Sequence, residues 1–311
     1  MNGEDTISNT KSMAGFIKLN PAPTITIPLD KIFRNVFNPS KDKKVRHIIE
    51  DKLNQIKSVV TFETLKGSLN QFDKLVFCAS ISEFRAGNNF FTIRRLYQRM
   101  GGSHTLTAEM RNLISDSVEK LACTRVEINM TAINDKLHYI DEEKVIFRNY
   151  LLPCKSVEVK INGQIIEGAY QILDDSPLFK TAKLKKQFTE QPIELLDIPK
   201  LRNSELVMKL KFFMLERITA IIGSHKKHKA HIVGKQKGGG FIFKRATKLQ
   251  KIITFEDIFE QCELANATKR QQQQARETIE KTLVHFKAKN LISEWHFEKK
   301  NGKFYSIHFI I

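Results

Sequence analysis

The sequence predicts an α+β chain in which one order of elements, three helices followed by a two-stranded hairpin, occurs twice. Three observations predict it. Thr or Asn stands ahead of the helical runs, where a side-chain oxygen caps the first turn. Each set of helical runs is followed by short strand-like runs. The third helical runs share a local pattern, Ser117-Val118-Glu119-Lys120-Leu121 beside Thr278-Ile279-Glu280-Lys281-Thr282-Leu283.

Taken in order, residues 1–28 read as a flexible tail rich in Asn, Ser, Thr and Pro, with Pro21, Pro23 and Pro28 blocking a helix. Residues 42–58 read as a helix, because Val45, Ile48, Ile49, Leu53 and Ile56 fall near a 3.6-residue period. The first unit follows, with helices over Gln71–Phe84, Ile93–Met100 and from Thr107 to about Cys123. Arg125–Met130 and Leu137–Ile140, joined at Asn134-Asp135, are its expected hairpin. Phe147–Leu152, Val157–Ile161 and Gln164–Leu173 read as a β extension, with Asn162-Gly163 as a tight turn. Pro192 and Pro199 suggest a junction. The second unit has helices from Asn203 to Ile222, over Phe255–Cys262 and from Thr268 to Lys289. Its strands are Ile292–Glu298 and Phe304–Ile310, with Asn301-Gly302 at the turn. Three helices and a hairpin are the order of a winged helix-turn-helix. The expected organisation is therefore a tail and short helix over 1–60, a first winged-helix domain with a β extension over 61–198, and a second winged-helix domain with a basic loop over 199–311.

Charge separates the two units. The 311 residues carry a net charge of +17. From residue 200 onward there are 23 Lys/Arg against 10 Asp/Glu, which is +13 of that total. The 39 positions between Glu216 and Glu256 hold no acidic residue. A run of one sign this long repels itself unless a polyanion lies against it, and the pattern points to nucleic acid. Segment His225–Lys251, with Gly238-Gly239-Gly240, reads as a mobile basic arm. Its Lys226, Lys227, Lys229, Lys235, Lys237, Lys244 and Arg245 are candidate phosphate contacts.

The third helix of the second unit is the candidate reading helix. Ala275, Ile279, Leu283 and Phe286 form its apolar stripe, and Arg270, Gln273, Gln274 and Glu277 lie opposite. Arg suits guanine and Gln suits adenine through paired hydrogen bonds in the major groove of double-stranded DNA. Lys269 at the helix entry and Arg276 complete this set, and Lys299, Lys300 and Lys303 tip the wing. The first unit differs. Its third helix sets Glu109, Asn112, Asp116 and Glu119 opposite its stripe, and carboxylates facing phosphates are unfavourable. Arg94, Arg95, Arg99 and Arg111 remain as candidates for secondary DNA contact, with protein–protein contact as this unit's other role.

Nothing in the pattern calls for a cofactor, a metal or catalysis. His225, His228 and His231 are interleaved with lysines that repel a cation. No His-x-His pair of the kind a nicking nuclease needs occurs, and Gly234–Gly240 lacks the Lys-Ser/Thr ending of a phosphate-binding loop. Cys78, Cys123, Cys154 and Cys262 form no CxxC pair. Met1–Lys11 is polar and no run is long enough to span a membrane, so a cytoplasmic, non-enzymatic DNA-binding protein is the expectation. A winged-helix transcription regulator stays open beside a replication initiator, with a nicking nuclease more remote.

Residues 60–311 resemble the tandem winged-helix plasmid replication initiators that bind repeated origin sequences. The resemblance rests on Phe72-Asp73-Lys74-Leu75-Val76, on Ser117–Leu121, on Asn149-Tyr150-Leu151-Leu152-Pro153, and on Leu291-Ile292 before the final wing. It implies that the C-terminal unit makes the main specific DNA contacts. It also implies that the N-terminal unit serves dimerisation and further origin contacts, and that host replication proteins are recruited.

Overall fold

Residues 24–29, 31–38, 42–51, 56–103, 105–137, 140–141, 143–161, 164–199, 201–227, 230–235, 241–245 and 251–311 are described by a computed structural model. The chain opens with β1 (Thr24–Pro28), α1 (Lys31–Val36), β2 (Lys44–Asp51) and β3 (Ile56–Glu63). It continues through α2 (Gln71–Arg85), β4 (Phe90–Thr92), α3 (Ile93–Arg99) and α4 (Ala108–Cys123). Next come β5 (Arg125–Asn129), α5 (Thr131–Leu137), β6 (Ile146–Tyr150), β7 (Cys154–Ile161) and β8 (Gln164–Ile172). Then follow α6 (Pro177–Leu184), β9 (Phe188–Pro192), a 3₁₀ turn (Ile193–Leu195) and α7 (Glu205–Lys227). The last elements are β10 (Ala230–Lys235), β11 (Phe241–Arg245), β12 (Lys251–Thr254), α8 (Phe255–Gln261), α9 (Lys269–Ala288), β13 (Glu294–Lys300) and β14 (Lys303–Ile310). The result is a mixed α+β fold with several small antiparallel sheets.

The internal duplication is present, and it is more regular than the sequence suggests. The second unit runs α7, β12, α8, α9, β13, β14, with sheet order β12-β14-β13. The first unit runs α2, β4, α3, α4, β7, β8, with sheet order β4-β8-β7. In both, the short strand between the first two helices pairs with the second strand of the closing hairpin. The order is winged-helix-like twice over.

This corrects the expected wing of the first unit. Arg125–Met130 and Leu137–Ile140 do not pair. β5 instead joins a four-stranded sheet of order β2-β3-β5-β6, and Leu137 ends α5. The local cause is Asn134, which looked like a hairpin-turn residue. Its amide clamps the loop after the helix, with Oδ1 accepting from Ile140 N at 2.8 Å and Nδ2 donating to Ile140 O at 2.8 Å. Two of the three strands expected as a β extension form the closing hairpin, β7 and β8 pairing antiparallel from Cys154↔Ile172 to Ile161↔Gln164, while the first becomes β6 beside β5. Residues 162–163, the expected turn, lie outside the described residues. The insertion is therefore β5, α5 and β6, between the third helix and the wing.

Two N-terminal expectations also fail. The described residues of 42–58 form no helix and contribute to the antiparallel hairpin β2–β3, in register from Lys44↔Glu63 to Asp51↔Ile56; residues 52–55 lie outside the described residues. Val45, Ile48, Ile49, Val59 and Val60 are β-branched and stiff at χ1, which favours the pleated backbone over a near-helical spacing. The end of the expected tail is a core strand. Ile25 and Ile27 are fully buried, β1 pairs β9, and Thr26 N donates to Ser82 Oγ at 2.7 Å. The rest of that expectation, residues 1–23, lies outside the described residues.

One core runs through both units. α7 packs on α2, where the Lys74 ammonium meets the Glu216 carboxylate at 2.5 Å with both side chains 3% exposed. The same ammonium lies 4.9 Å from the Phe33 ring and 4.6 Å from the Phe212 ring. Both Glu205 carboxylate oxygens accept from Gln71 N, each at 3.1 Å, adding negative charge at the positive end of α2. Lys211 is buried at the junction, donating to Leu196 O at 2.8 Å and Asn203 Oδ1 at 2.7 Å. Burial lowers its pKa to about 8.

The expected loop His225–Lys251 is not a loop throughout. α7 runs on to Lys227, and β10 and β11 form an antiparallel hairpin from Ala230↔Arg245 to Lys235↔Phe241. The apolar residues Ile232, Val233, Phe241, Ile242 and Phe243 supply strand-forming side chains between the basic ones. Residues 228–229, 236–240 and 246–250 lie outside the described residues.

Candidate nucleic-acid interface

α9 is built to hold one face in the core and present its first turns outward. Thr268 caps it, with Gln271 N donating to Thr268 Oγ1 at 3.3 Å and Thr268 N donating back to Gln271 Oε1 at 2.9 Å. This reciprocal pair satisfies two amides that a helix start would otherwise leave open. Ala275, Ile279, Leu283 and Phe286 are all fully buried. Thr278 and Thr282 lie beside them, and their hydroxyls donate to the carbonyls of Gln274 at 2.9 Å and Thr278 at 2.8 Å. The stripe fixes the rotation of the helix. Lys269, Arg270, Gln273 and Gln274 are consequently exposed together on the N-terminal turns. Gln273 Nε2 donates to Glu277 Oε1 at 3.0 Å, which braces one of the two glutamines.

The wing is joined to this helix through an aromatic ring. Asn301 (φ +51) and Gly302 (φ +73) make the tight turn in the left-handed region, which matches strand twist. Lys299, Lys300 and Lys303 are exposed around it. Phe304 packs against Phe255 and Phe297 at ring separations of 5.9 and 5.4 Å. The Arg276 guanidinium of α9 lies 5.2 Å from the Phe304 ring, and the Lys299 ammonium lies 4.7 Å from it. Lys300 sits 3.7 Å over Tyr305. Arg276 is thus a half-buried brace between helix and wing, and two wing lysines rest on aromatic faces. Sequence reasoning missed Phe304. Its position just after the turn lysines, in a strand otherwise alternating inward and outward, was the available signal.

The opposite face of this sheet carries a polar cluster. Ser306 Oγ donates to Glu298 Oε2 at 2.5 Å, and a His308 ring nitrogen lies 3.0 Å from the same oxygen. These hydrogen bonds hold the Glu298 carboxyl below its ordinary value of 4.5. The His296 and His308 rings stack at 5.0 Å.

The corresponding surface of the first unit is different in charge. α4 buries Ile114, Val118 and Leu121 and exposes Glu109, Asn112, Asp116 and Glu119. Glu119 pairs with Lys66 at 2.5 Å. Arg94 and Arg111 are exposed, but two of the four candidate arginines are engaged inside the fold. Arg99, 6% exposed, donates from Nε to Glu83 Oε1 at 2.6 Å and from Nη1 to Thr24 O at 3.2 Å. Arg95 bonds the other oxygen of the buried Glu83. Arg95 and Arg99 are thus partners of a buried carboxylate as well as candidate cations.

The basic segment is described only in part. Lys226 and Lys227 lie in the last turn of α7, and Lys235, Lys244 and Arg245 lie in β10 and β11. Their side chains lie outside the described residues, as do Lys229 and Lys237 entirely. Among the described residues, no three His, Cys, Asp or Glu side chains converge as metal ligands. No helix among them is long and apolar enough to cross a membrane.

A mixed α+β fold in which one order of elements and one sheet topology occur twice, with unlike outer faces, is the class of fold. No family model matches the chain, and no curated protein matches it. Among solved structures, it is similar to the crystal structure of a selenomethionine derivative of domains 2 and 3 of RctB. The identity is 11%, the match covers 90% of this chain and 95% of that one, and the TM-score is 0.49. It is also similar to a second crystal structure of RctB domains 2–3, with 10% identity, 90% and 96% coverage, and a TM-score of 0.48.

Proposed function

We propose that this chain is a sequence-specific, non-enzymatic DNA-binding protein that initiates replication of a plasmid or mobile element from repeated origin sites. In this reading the two units are winged-helix domains in tandem, divided near residue 199. The second reads base edges with α9 in the major groove. One observation carries the reading: the buried stripe of α9 turns Lys269, Arg270, Gln273 and Gln274 outward together, next to a wing tipped by Lys299, Lys300 and Lys303.

A helix with this presentation reads the major groove through Arg and Gln, and a basic wing follows the adjacent backbone. Arg276 acts by holding the wing to the helix. The basic residues between Lys226 and Arg245 add phosphate contacts, which raise affinity without choosing sequence. Arg94 and Arg111 are the first unit's exposed candidates for secondary contact. The resemblance of residues 60–311 to iteron-binding initiators adds a dimer through the first unit, host replication proteins as partners, and action in the cytoplasm.

Footprinting the purified protein across its own replicon tests the reading. An array of protected direct repeats beside an AT-rich stretch supports an initiator. Isolated protected operators at promoters support the transcription regulator, and no protection beyond random DNA rules out both. Magnesium-dependent nicking of supercoiled origin DNA would revive the nuclease.

A further inference from the structure

Ile198 and Pro199 face the C-terminal half of α9 across an open groove of about 560 Å³. Its apolar lining is Ile198, Pro199, Val284 and Ala288, and Val284 is 55% exposed although it sits mid-helix. Glu277, Glu280, Lys281 and His285 supply its polar lining.

We propose that this groove is a docking site for residues 13–19 of the same chain, Met-Ala-Gly-Phe-Ile-Lys-Leu. The first argument is where the described chain begins. Thr24 pairs with Pro192 across β1 and β9. Two residues beyond Pro192, the Glu194 carbonyl is 2.8 Å from His285 Nε2, and the Glu194 carboxylate takes Lys289 at 2.6 Å. The N-terminal end of β1 therefore lies one strand spacing and two residues from a side chain that lines the groove. The five steps from Thr24 back to Leu19 reach about 17 Å when extended.

The second argument is composition. Within the first 23 residues the large apolar side chains cluster in this run, as Met13, Phe16, Ile17 and Leu19, with Met1 and Ile7 standing apart. Pro21 and Pro23, residue types that disfavour helix, stand between the run and β1 in the sequence. The third is charge. Lys11 precedes the run and Lys18 lies within it, and the groove's lining offers Glu277 and Glu280 against a single Lys281. An aromatic and two aliphatic side chains suit a cavity of this size and lining.

The inference does not rest on α9 reading DNA, and its test needs none. A photo-crosslinking benzoylphenylalanine replaces Val284 in the full chain, and in a second protein it replaces Lys281. Each is irradiated as a mixture of ¹⁴N- and ¹⁵N-labelled chains, and the crosslinked peptides are identified by mass spectrometry. The expected result is crosslinking to residues 13–19 with both partners carrying the same label. Phe16→Asp should lower that yield about tenfold, the scale of losing one buried aromatic contact. Its far-ultraviolet circular dichroism should match the parent's, so that a lower yield reports the groove and not unfolding. Mixed-label crosslinks would assign the groove to a second copy and overturn the proposal. Crosslinks only to other segments, or none from either position, would also overturn it.

Discussion

The two units share an order of elements and a sheet topology, yet they present opposite chemistry on the equivalent helix. α9 turns Lys269, Arg270, Gln273 and Gln274 to solvent, whereas α4 turns Glu109, Asp116 and Glu119. The buried stripes, Ile279-Leu283-Phe286 and Ile114-Val118-Leu121, are alike in spacing and differ little in kind. The comparison teaches that the core specifies the repeated fold while the outer face is free to diverge. Arginine makes the same point from the other side. In the first unit Arg95 and Arg99 serve Glu83 inside the fold, and in the second Arg270 stands exposed. A count of basic residues per unit conceals that difference.

The largest expected effect comes from breaking what the units have in common. Glu216→Ala leaves the Lys74 ammonium buried between Phe33 and Phe212 without its carboxylate. It should destabilise the protein by about 3–5 kcal/mol in denaturant unfolding, as removal of one partner of a buried pair does. Glu83→Ala, which strands Arg99, should cost about as much by the same rule. If Glu216→Ala costs under about 1 kcal/mol, the shared ion pair is not holding the two first helices together.

Next comes the face on which the units differ. Arg270→Ala should cost about 1–3 kcal/mol on a selected site and little on random duplex. Arg94→Ala with Arg111→Ala should weaken both duplexes alike, and by less. Replacing Lys299, Lys300 and Lys303 by Ala should lower the salt dependence of binding by up to about three phosphates' worth without altering sequence preference. An unchanged slope would remove the wing tip from the backbone.

The smallest effect belongs to the second unit's sheet alone. The Glu298 carboxyl is held below its ordinary value by Ser306 and His308. Its contribution to stability is therefore complete above the unfolded value of about 4.5 and fades as pH falls through the lower folded value. Ser306→Ala should shrink that acid-side loss in urea titrations carried downward from the unfolded value of about 4.5. Identical acid limbs for the two proteins would contradict the assignment.

Much of the second unit was legible in the sequence. Thr254 and Thr268 cap the helices they precede, and Asn301-Gly302 makes the turn its residue types demand. Local chemistry sufficed for these because a cap and a tight turn are decided within a few residues, whereas β12, which pairs with the distant β14, was not read. The first unit's wing was not legible for the converse reason. β7 and β8 find β4 across 60 or more residues of chain, and an inserted β5-α5-β6 stands where a local reading expects the hairpin. The β2–β3 hairpin was hidden by a chance 3.6-residue spacing of β-branched residues, and the end of the tail by prolines that permit an edge strand as readily as a coil. Charge at the candidate interface was visible, but partnership was not. Nothing local marks Arg99 as buried or Arg270 as exposed, because Glu83 and the α9 stripe decide those fates in three dimensions.

The central claim is that the second unit reads sequence and the first does not. The most direct measurement is the ratio of affinities for a selected duplex and a scrambled one, at one fixed salt concentration. It is taken for the parent, for Arg270→Ala, and for Arg94→Ala/Arg111→Ala. The account predicts that the ratio falls roughly tenfold or more in Arg270→Ala and holds in the double variant. A ratio that holds in Arg270→Ala and collapses in the double variant would move the reading surface to the first unit and contradict it.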